Sequence, residues 1–287
     1  VPTELFMTVK DQVMYNAELF CPLAWPMLIE PNDWTTEKPG GYLLNEIMKG
    51  HEMVRKSGSS HIQGERPIAF LNKIQKVAYT LNPFIVEVSE ILEKSGREVG
   101  KFKPITEHPH PVKPVDIAEN IEARKKYRRE ETERNDLQAQ EFRKSCRTRM
   151  VMETVDRFKN KEKFYIPWSF DYRGRVYHIP DFGPHNGDCI RALFLFANAK
   201  PIGNNEDILA IQIANRFGLD KEPKEKRIAW VKKHSDTIYR AGQDFKASYA
   251  HWSKASAPLQ YLAACREWFH YKNIGPSYES GLPANLD

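Results

Sequence analysis

Two arginines two residues apart, Arg173 and Arg175, stand in the chemically densest stretch of the 287-residue sequence, Phe164-Tyr-Ile-Pro-Trp-Ser-Phe-Asp-Tyr-Arg-Gly-Arg-Val-Tyr177. Six aromatic residues share its fourteen positions with one acid, one glycine and one proline. Guanidiniums held beside tyrosines such as Tyr177 suit phosphates and sugars, because the planar fork of N–H donors matches phosphate oxygens. To hold them, the stretch is expected to run strand, tight turn, strand. Residues 164–168 read as the first strand, with Pro167 near its edge or end, and residues 175–179 as the second. Between them Asp171 can cap a turn, and Gly174 can take a backbone angle closed to other residues. Residues two apart on an extended chain point the same way, which predicts Arg173 and Arg175 on one face. An ordinary hairpin with an Arg–Asp salt bridge fits the same residues equally well.

A second candidate is a run of basic side chains. Residues 121–150 hold ten Lys or Arg and six Asp or Glu, unevenly spread. Residues 122–136 set Arg124, Lys125, Lys126, Arg128, Arg129 and Arg134 against five acids, the pattern of a solvated helix laced with intrahelical pairs. Residues 143–149 carry Arg143, Lys144, Arg147 and Arg149 with no acid. Arg143 and Arg147 are four apart and share a helix face, which could track a phosphate backbone.

The elements that must position these groups follow from apolar spacing and turn residues. Residues 4–20 read as helix, and residues 21–31 as extended or looped around Pro22, Pro26 and Pro31. In the turn-rich stretch 31–42, Trp34 and Tyr42 are expected to pin the loop to the body. Residues 50–66 are polar and read as a surface loop. Leu71, Ile74, Val77, Ala78 and Leu81 recur at helical spacing. Asn82-Pro83 then restarts the chain as N-cap and first helical residue, and Ser95-Gly96 closes that second helix. Four prolines make residues 101–114 an extended crossing. One or two long helices are expected over residues 115–159. A turn-rich loop follows over 181–188, then a short apolar run at 190–197, strand or helix. Helices are predicted at residues 207–217 and 224–240, followed by a polar linker at 241–256. A third helix opens at Ala257-Pro258, with a stripe of Leu259, Leu262, Ala263, Arg266 and Phe269. Trp252, Trp268, Phe269 and Tyr271 read as core.

Composition sets the outer bounds. Hydrophobic residues are 41% and charged residues 28%, ordinary for a globular chain, and the net charge of +5 permits a nucleic-acid partner without demanding one. No run of eighteen apolar residues occurs, so no membrane span is expected. Val1-Pro-Thr-Glu has no signal-peptide shape and no initiator Met, so the sequence is expected to begin inside a longer product. Cys21, Cys146, Cys189 and Cys265 are far apart and form no C-x-x-C pair, which favours free thiols over zinc. His108 and His110 flank Pro109 without further ligands nearby and read as a solvated loop. No P-loop, GxGxxG or internal repeat is present.

The ordered motifs resemble those of the single-subunit RNA polymerases of bacteriophages and mitochondria. Asp171-Tyr-Arg-Gly-Arg-Val-Tyr177 is similar to that family's D-x-x-G-R motif. An aromatic-Pro strand precedes it, and Phe182-Gly-Pro-His-Asn-Gly-Asp188 and Lys200-Pro-Ile-Gly203 follow in the family's order. Gln260-Tyr-Leu-Ala-Ala-Cys-Arg-Glu267 is similar to its F-L-A-x-C-x-E helix. Ser277-Tyr-Glu-Ser-Gly-Leu-Pro-Ala-Asn-Leu-Asp287 is similar to the approach to its first catalytic acid, although Ala284 stands where Leu, Ile or Val is commoner. Upstream, Cys21-Pro through Trp34 to Gly40-Gly-Tyr42 matches its C-P…P-x-x-W…G-G-Y loop.

The resemblance implies an α+β, mostly α-helical chain, part of a right-hand polymerase fold. Residues 1–82 would end the N-terminal domain, and 83–160 would form a helical thumb. Residues 161–203 would begin the palm with a small antiparallel sheet, 204–275 would be a helical insertion, and 276–287 would re-enter the palm. It implies DNA-directed RNA synthesis from NTPs by a two-metal mechanism. Asp171, Arg173, Gly174, Arg175 and Tyr177, with Arg143, Lys144 and Arg147, would form the grip on template DNA and RNA transcript. Asp287 would be the first catalytic aspartate and a magnesium ligand, in a site that holds two Mg2+ ions in the complete polymerase. The family's second catalytic Asp and its fingers Lys and Tyr lie farther along than Asp287, so the chain is expected to be an N-terminal or internal portion, inactive alone and monomeric when complete. A phage source and the host cytoplasm are expected ahead of a mitochondrial one. A non-catalytic nucleic-acid-binding module, or one half of a split polymerase, is the alternative.

Overall fold

The computed structural model describes residues 8–9, 24–43, 51–55 and 64–284. In chain order these form α1 (Glu65–Gln75), β1 (Ala78–Leu81), α2 (Pro83–Ser95), α3 (Ile121–Phe158), β2 (Phe164–Tyr165), β3 (Trp168–Phe170) and β4 (Val176–His178). There follow α4 (Asp188–Leu193), β5 (Phe194–Phe196), β6 (Lys200–Pro201), α5 (Glu206–Ala214), α6 (Lys224–Lys233), α7 (Ser235–Gln243), α8 (Tyr249–Trp252), α9 (Pro258–Ile274) and β7 (Glu279–Ser280). The chain is α+β and mostly helical, with small antiparallel ladders. No helix among the described residues is long and apolar enough to cross a membrane. The chain divides into two compact units, one of residues 1–80 with 161–186, the other of residues 81–160 with 187–287. The expected helix at residues 4–20 lies almost wholly outside the described residues.

In the first unit the sheet begins where a helix was expected. The helix that starts near residue 65 stops at Gln75, and β1 pairs antiparallel with β2, Ala78 opposite Tyr165 and Tyr79 opposite Phe164. Tyr79 and Leu81 are buried while their neighbours are half-exposed, so the alternation of a strand overrides a spacing that also fits a helix. The predicted strand 164–168 is divided. Pro167 has no N–H to give a ladder, so the chain changes partner there. β2 serves β1, and the hairpin is built by β3 and β4, with Trp168 opposite His178 and Phe170 opposite Val176. The predicted second strand, 175–179, shortens to residues 176–178.

The loop at residues 31–42 is pinned as its aromatics suggest. The Trp34 indole N–H donates to the carbonyl of Trp168 at 3.1 Å, and Asn72 exchanges two bonds with the Trp34 backbone, at 2.8 and 2.9 Å. The Tyr42 hydroxyl donates to the carbonyl of Trp25 at 2.6 Å. A Cβ on Gly40 would stand 2.4 Å from the Trp34 nitrogen, so only glycine lets the loop close there. Residues 53–55, expected in a surface loop, instead bond to the hairpin. Val54 is buried and bridges Phe170 in parallel, Phe170 N–H donates to Met53 at 2.7 Å, and Arg55 N–H donates to Phe170 at 2.8 Å.

In the second unit α2 starts and stops as its ends dictate. The Asn82 side chain accepts from the N–H groups of Phe84 and Ile85, and Gly96 closes the helix in the left-handed region at φ 64°. α3 is one helix of 38 residues, opened by the Asn120 side chain accepting from Ala123. The proline-rich crossing is tied along it: His108 N–H donates to Gln138, Arg134 donates to the carbonyl of His108, and His110 meets Glu131 at 2.9 Å. α9 was expected to bury one stripe. It is buried on nearly every side from Pro258 through Cys265, and again at Glu267, Trp268 and Tyr271. Its closest neighbour is α7, where a Cβ on Gly242 would stand 2.1 Å from the carbonyl oxygen of Cys265. The helix expected over 224–240 breaks at His234, whose backbone leaves the helical region, and α6 and α7 result. The expected polar linker 241–256 contains α8 and the fully buried Trp252. Trp268 and Tyr271 lie in the core as expected, while Phe269 is half-exposed.

Candidate nucleic-acid interface

The arginine-bearing loop is organised by one carboxylate. Asp171 Oδ1 accepts from the backbone N–H groups of Arg173 at 2.9 Å and Arg175 at 2.8 Å. The loop closes with Asp171 N–H donating to Arg175 at 2.8 Å and Gly174 N–H donating to Asp171 at 3.0 Å. Gly174 sits at φ 78°, where a side chain would be strained, so the third residue after Asp171 must be glycine for the chain to turn back. Desolvation pushes the Asp171 carboxyl up, but the N–H donors of Arg175 and Arg173 and then the two guanidiniums outweigh it and hold its pKa below the ordinary carboxylate value. The loop therefore carries a fixed anion at its root and exposes Tyr172, Arg173, Gly174 and Arg175 beyond it.

The Arg–Asp salt bridge of the hairpin reading is present. Arg173 pairs with Asp171 Oδ2 at 3.6 Å and lies over the Tyr172 ring at 5.2 Å. An exposed pair of this kind contributes about 0–1 kcal/mol. The Arg175 side chain makes no ion pair among the described residues, and only its backbone is tied to Asp171. The alternation that placed both on one face does not apply, because a turn with a left-handed glycine is not an extended chain.

Tyr177 is half-buried, opposite Ser169 in the ladder, with His185 edge-on at 6.4 Å. His185 also meets Trp168 at 5.1 Å, and Gly183 is required beside this cluster, since its Cβ would stand 2.2 Å from the His178 ring. Tyr172, 73% exposed, offers an aromatic face beside Arg173. It lies within the D-x-x-G-R motif, outside the residues that the sequence assigns to binding. Its position between Asp171 and Arg173 was the available signal.

Arg143, Lys144 and Arg147 belong to the second unit, on α3. Arg143 and Arg147 are exposed and form no ion pair among the described residues, whereas Lys144 meets Glu141 at 2.9 Å. The acid-free window of residues 143–149 stopped two positions short of that glutamate. Arg149 turns back over the Phe142 ring at 3.6 Å. Farther up α3, Lys125–Glu122, Lys126–Glu130 and Arg129–Glu133 pair along the helix as expected.

Asp287 lies outside the described residues. The tail ahead of it is fastened to the second unit. β7 pairs with β6, Lys200 opposite Ser280, Phe196 N–H donates to Gly281 at 2.7 Å, and Arg216 Nη2 donates to the carbonyl of Pro283 at 2.9 Å. Arg216 is 7% exposed, and Asp188 and Glu267 balance its charge. Asp188 also accepts from Leu259 N–H at 2.8 Å and from the backbone and side chain of Gln260 at 3.0 and 3.1 Å, capping α9 from another element. Burial raises the carboxyl pKa of Asp188, and these bonds and Arg216 only partly offset it. Among the described residues no three His, Cys, Asp or Glu side chains gather as a metal site. Cys146, Cys189 and Cys265 are free thiols, and Cys21 lies outside the described residues.

The chain is similar to known proteins. Residues 200–287 match a family model described as DNA-dependent RNA polymerase. The DNA-directed RNA polymerase of Enterobacteria phage T3 is 27% identical over 273 residues, covering 93% of this chain and 31% of that protein. T7 RNA polymerase from Escherichia phage T7 is 27% identical over 277 residues, with the same coverages of 93% and 31%. A chloroplastic/mitochondrial DNA-directed RNA polymerase of Arabidopsis thaliana is 28% identical over 250 residues, covering 84% of this chain and 24% of that protein. The chain thus spans less than a third of the length of these relatives.

Proposed function

We propose that this chain, similar to single-subunit, phage-type DNA-directed RNA polymerases, is a portion of such an enzyme and carries the nucleic-acid grip with which it extends RNA on a DNA template. The reaction joins the 3′-hydroxyl of the transcript to the α-phosphate of an incoming NTP and releases pyrophosphate. The observation that carries the reading is the Asp171 loop, in which one carboxylate binds the backbone of both arginines and leaves their side chains exposed. Such a loop fixes the backbone of both arginines and leaves Arg175 without an ion pair among the described residues and Arg173 only in a weak exposed pair, so both guanidiniums can reach a phosphate backbone. Arg173 and Arg175 contact the backbone of the template–transcript hybrid, with Tyr172 and Tyr177 against its sugars. Arg143 and Arg147 contribute a second basic face on α3, with Lys144 partly committed to Glu141.

Residues 1–82 act as the end of an N-terminal domain, 83–160 as a thumb, 161–203 and 276–287 as palm and 204–275 as an insertion. The polymerase is monomeric when complete. Asp287 is the chain's candidate magnesium ligand. When bound, two such ions stabilise the attacking and leaving oxygens of nucleotidyl transfer. This chain's described residues do the binding and orienting: the loop holds the hybrid, and Arg216, β6 and β7 hold the segment that leads to Asp287.

Fluorescence anisotropy with a labelled DNA–RNA hybrid tests the reading. The chain is expected to bind in a salt-sensitive manner, and Arg175→Ala to weaken binding about tenfold, the loss of one charge-assisted contact. Affinity unchanged by Arg175→Ala would remove the loop from the interface.

A further inference from the structure

We propose that Arg55 is a positioning residue for the arginine-bearing loop, a guanidinium that locks the two arms of the hairpin and the Tyr177 ring into one arrangement. The proposal rests on the reading of that loop as the nucleic-acid grip.

The need for a lock follows from size. β3 and β4 are three residues each, and an isolated two-stranded ribbon of that length is marginal in water. Arg55 supplies links across it. Its Nε donates to the Ser169 hydroxyl of β3 at 2.8 Å, and its Nη2 donates to the carbonyl of His178 in β4. Ser169 stands opposite Tyr177 in the ladder, and the same guanidinium lies 5.7 Å from the centre of the Tyr177 ring. The Arg55 backbone N–H donates to Phe170, the last residue before Asp171, at 2.8 Å. One residue thus holds the loop's incoming arm by backbone and side chain, and its outgoing arm by side chain.

Its surroundings fit an internal brace. Desolvation lowers the Arg55 pKa, opposed by Tyr177 and then Asp181, so its charge is answered within the first unit. Two of the five guanidinium donors are spent on the hairpin, and a lysine, with a single point of attachment, cannot reproduce that fork.

The test compares Arg55→Ala and Arg55→Lys with the parent chain in hybrid binding across a salt series, together with amide hydrogen exchange over residues 168–178. Arg55→Ala is expected to weaken hybrid binding five- to tenfold while the slope of log affinity against log salt stays at the parent value, because no phosphate contact is removed. Arg55→Lys is expected to behave like the alanine variant, and both to speed exchange at the hairpin while α9 keeps its protection. A slope flattened by about one in Arg55→Ala, with Arg55→Lys near the parent, would make Arg55 a phosphate contact and overturn the proposal. Hairpin exchange unchanged in both variants would also overturn it. The exchange arm is independent of nucleic acid. If the loop does not bind the hybrid at all, Arg175→Ala is silent while the exchange result still decides whether Arg55 braces the hairpin.

Discussion

Trp34→Ala is expected to destabilise the first unit by about 4 kcal/mol, the range for deleting a fully buried aromatic side chain. Trp34 is 1% exposed, and its indole N–H is bonded to Trp168, the first residue of β3. The loop at 31–42 is shaped around it, since Gly40 closes against its nitrogen and the Cβ position of Gly41 stands 3.4 Å from its ring. Truncation therefore leaves a cavity beneath the loop and removes a donor from the base of the hairpin. Trp34→Phe keeps most of the ring and loses the N–H, so it should cost about 1 kcal/mol. Denaturant unfolding of the two variants checks both values. A loss below about 1 kcal/mol for Trp34→Ala would show that the loop is not anchored by this residue.

Asp188→Ala is expected to destabilise the second unit by about 3 kcal/mol, the sum of a lost helix cap and of buried donors left without an acceptor. Leu259 N–H, Gln260 N–H and the Gln260 amide all lose their acceptor at the buried start of α9. Arg216 would keep Glu267 but lose Asp188 as a counter-charge. Asp188→Asn retains one acceptor oxygen and should cost about half as much. Trp252 and Trp268, both fully buried in this unit, report its unfolding by fluorescence. An Asp188→Ala variant as stable as the parent would contradict the capping role.

What was legible in the sequence was local. Asp171 and Gly174 set the loop through bonds spanning at most four residues, and Asn82-Pro83 with Gly96 set α2 through its own ends. The readings that needed correction depended on distant partners. Ala78 and Leu81 fit a helix by spacing, and pairing with β2, more than eighty residues later, helps make their segment a strand. Arg55 lay in a polar stretch that resembled a surface loop because its partners Ser169 and His178 are 114 and 123 residues away. Asp188 was one acid in a turn-rich loop, and the helix it caps begins about seventy residues on. The extended chain that the alternation of Arg173 and Arg175 requires is absent, because the glycine between them turns the chain.

The grip itself is tested most directly by the salt dependence of hybrid binding in an Arg173→Ala, Arg175→Ala double variant. Each phosphate contact contributes nearly one to the slope of log affinity against log salt. Loss of both arginines should flatten the slope by nearly two and weaken binding at low salt by far more than at high salt. A double variant with the parent's slope would show that these guanidiniums do not touch the phosphate backbone.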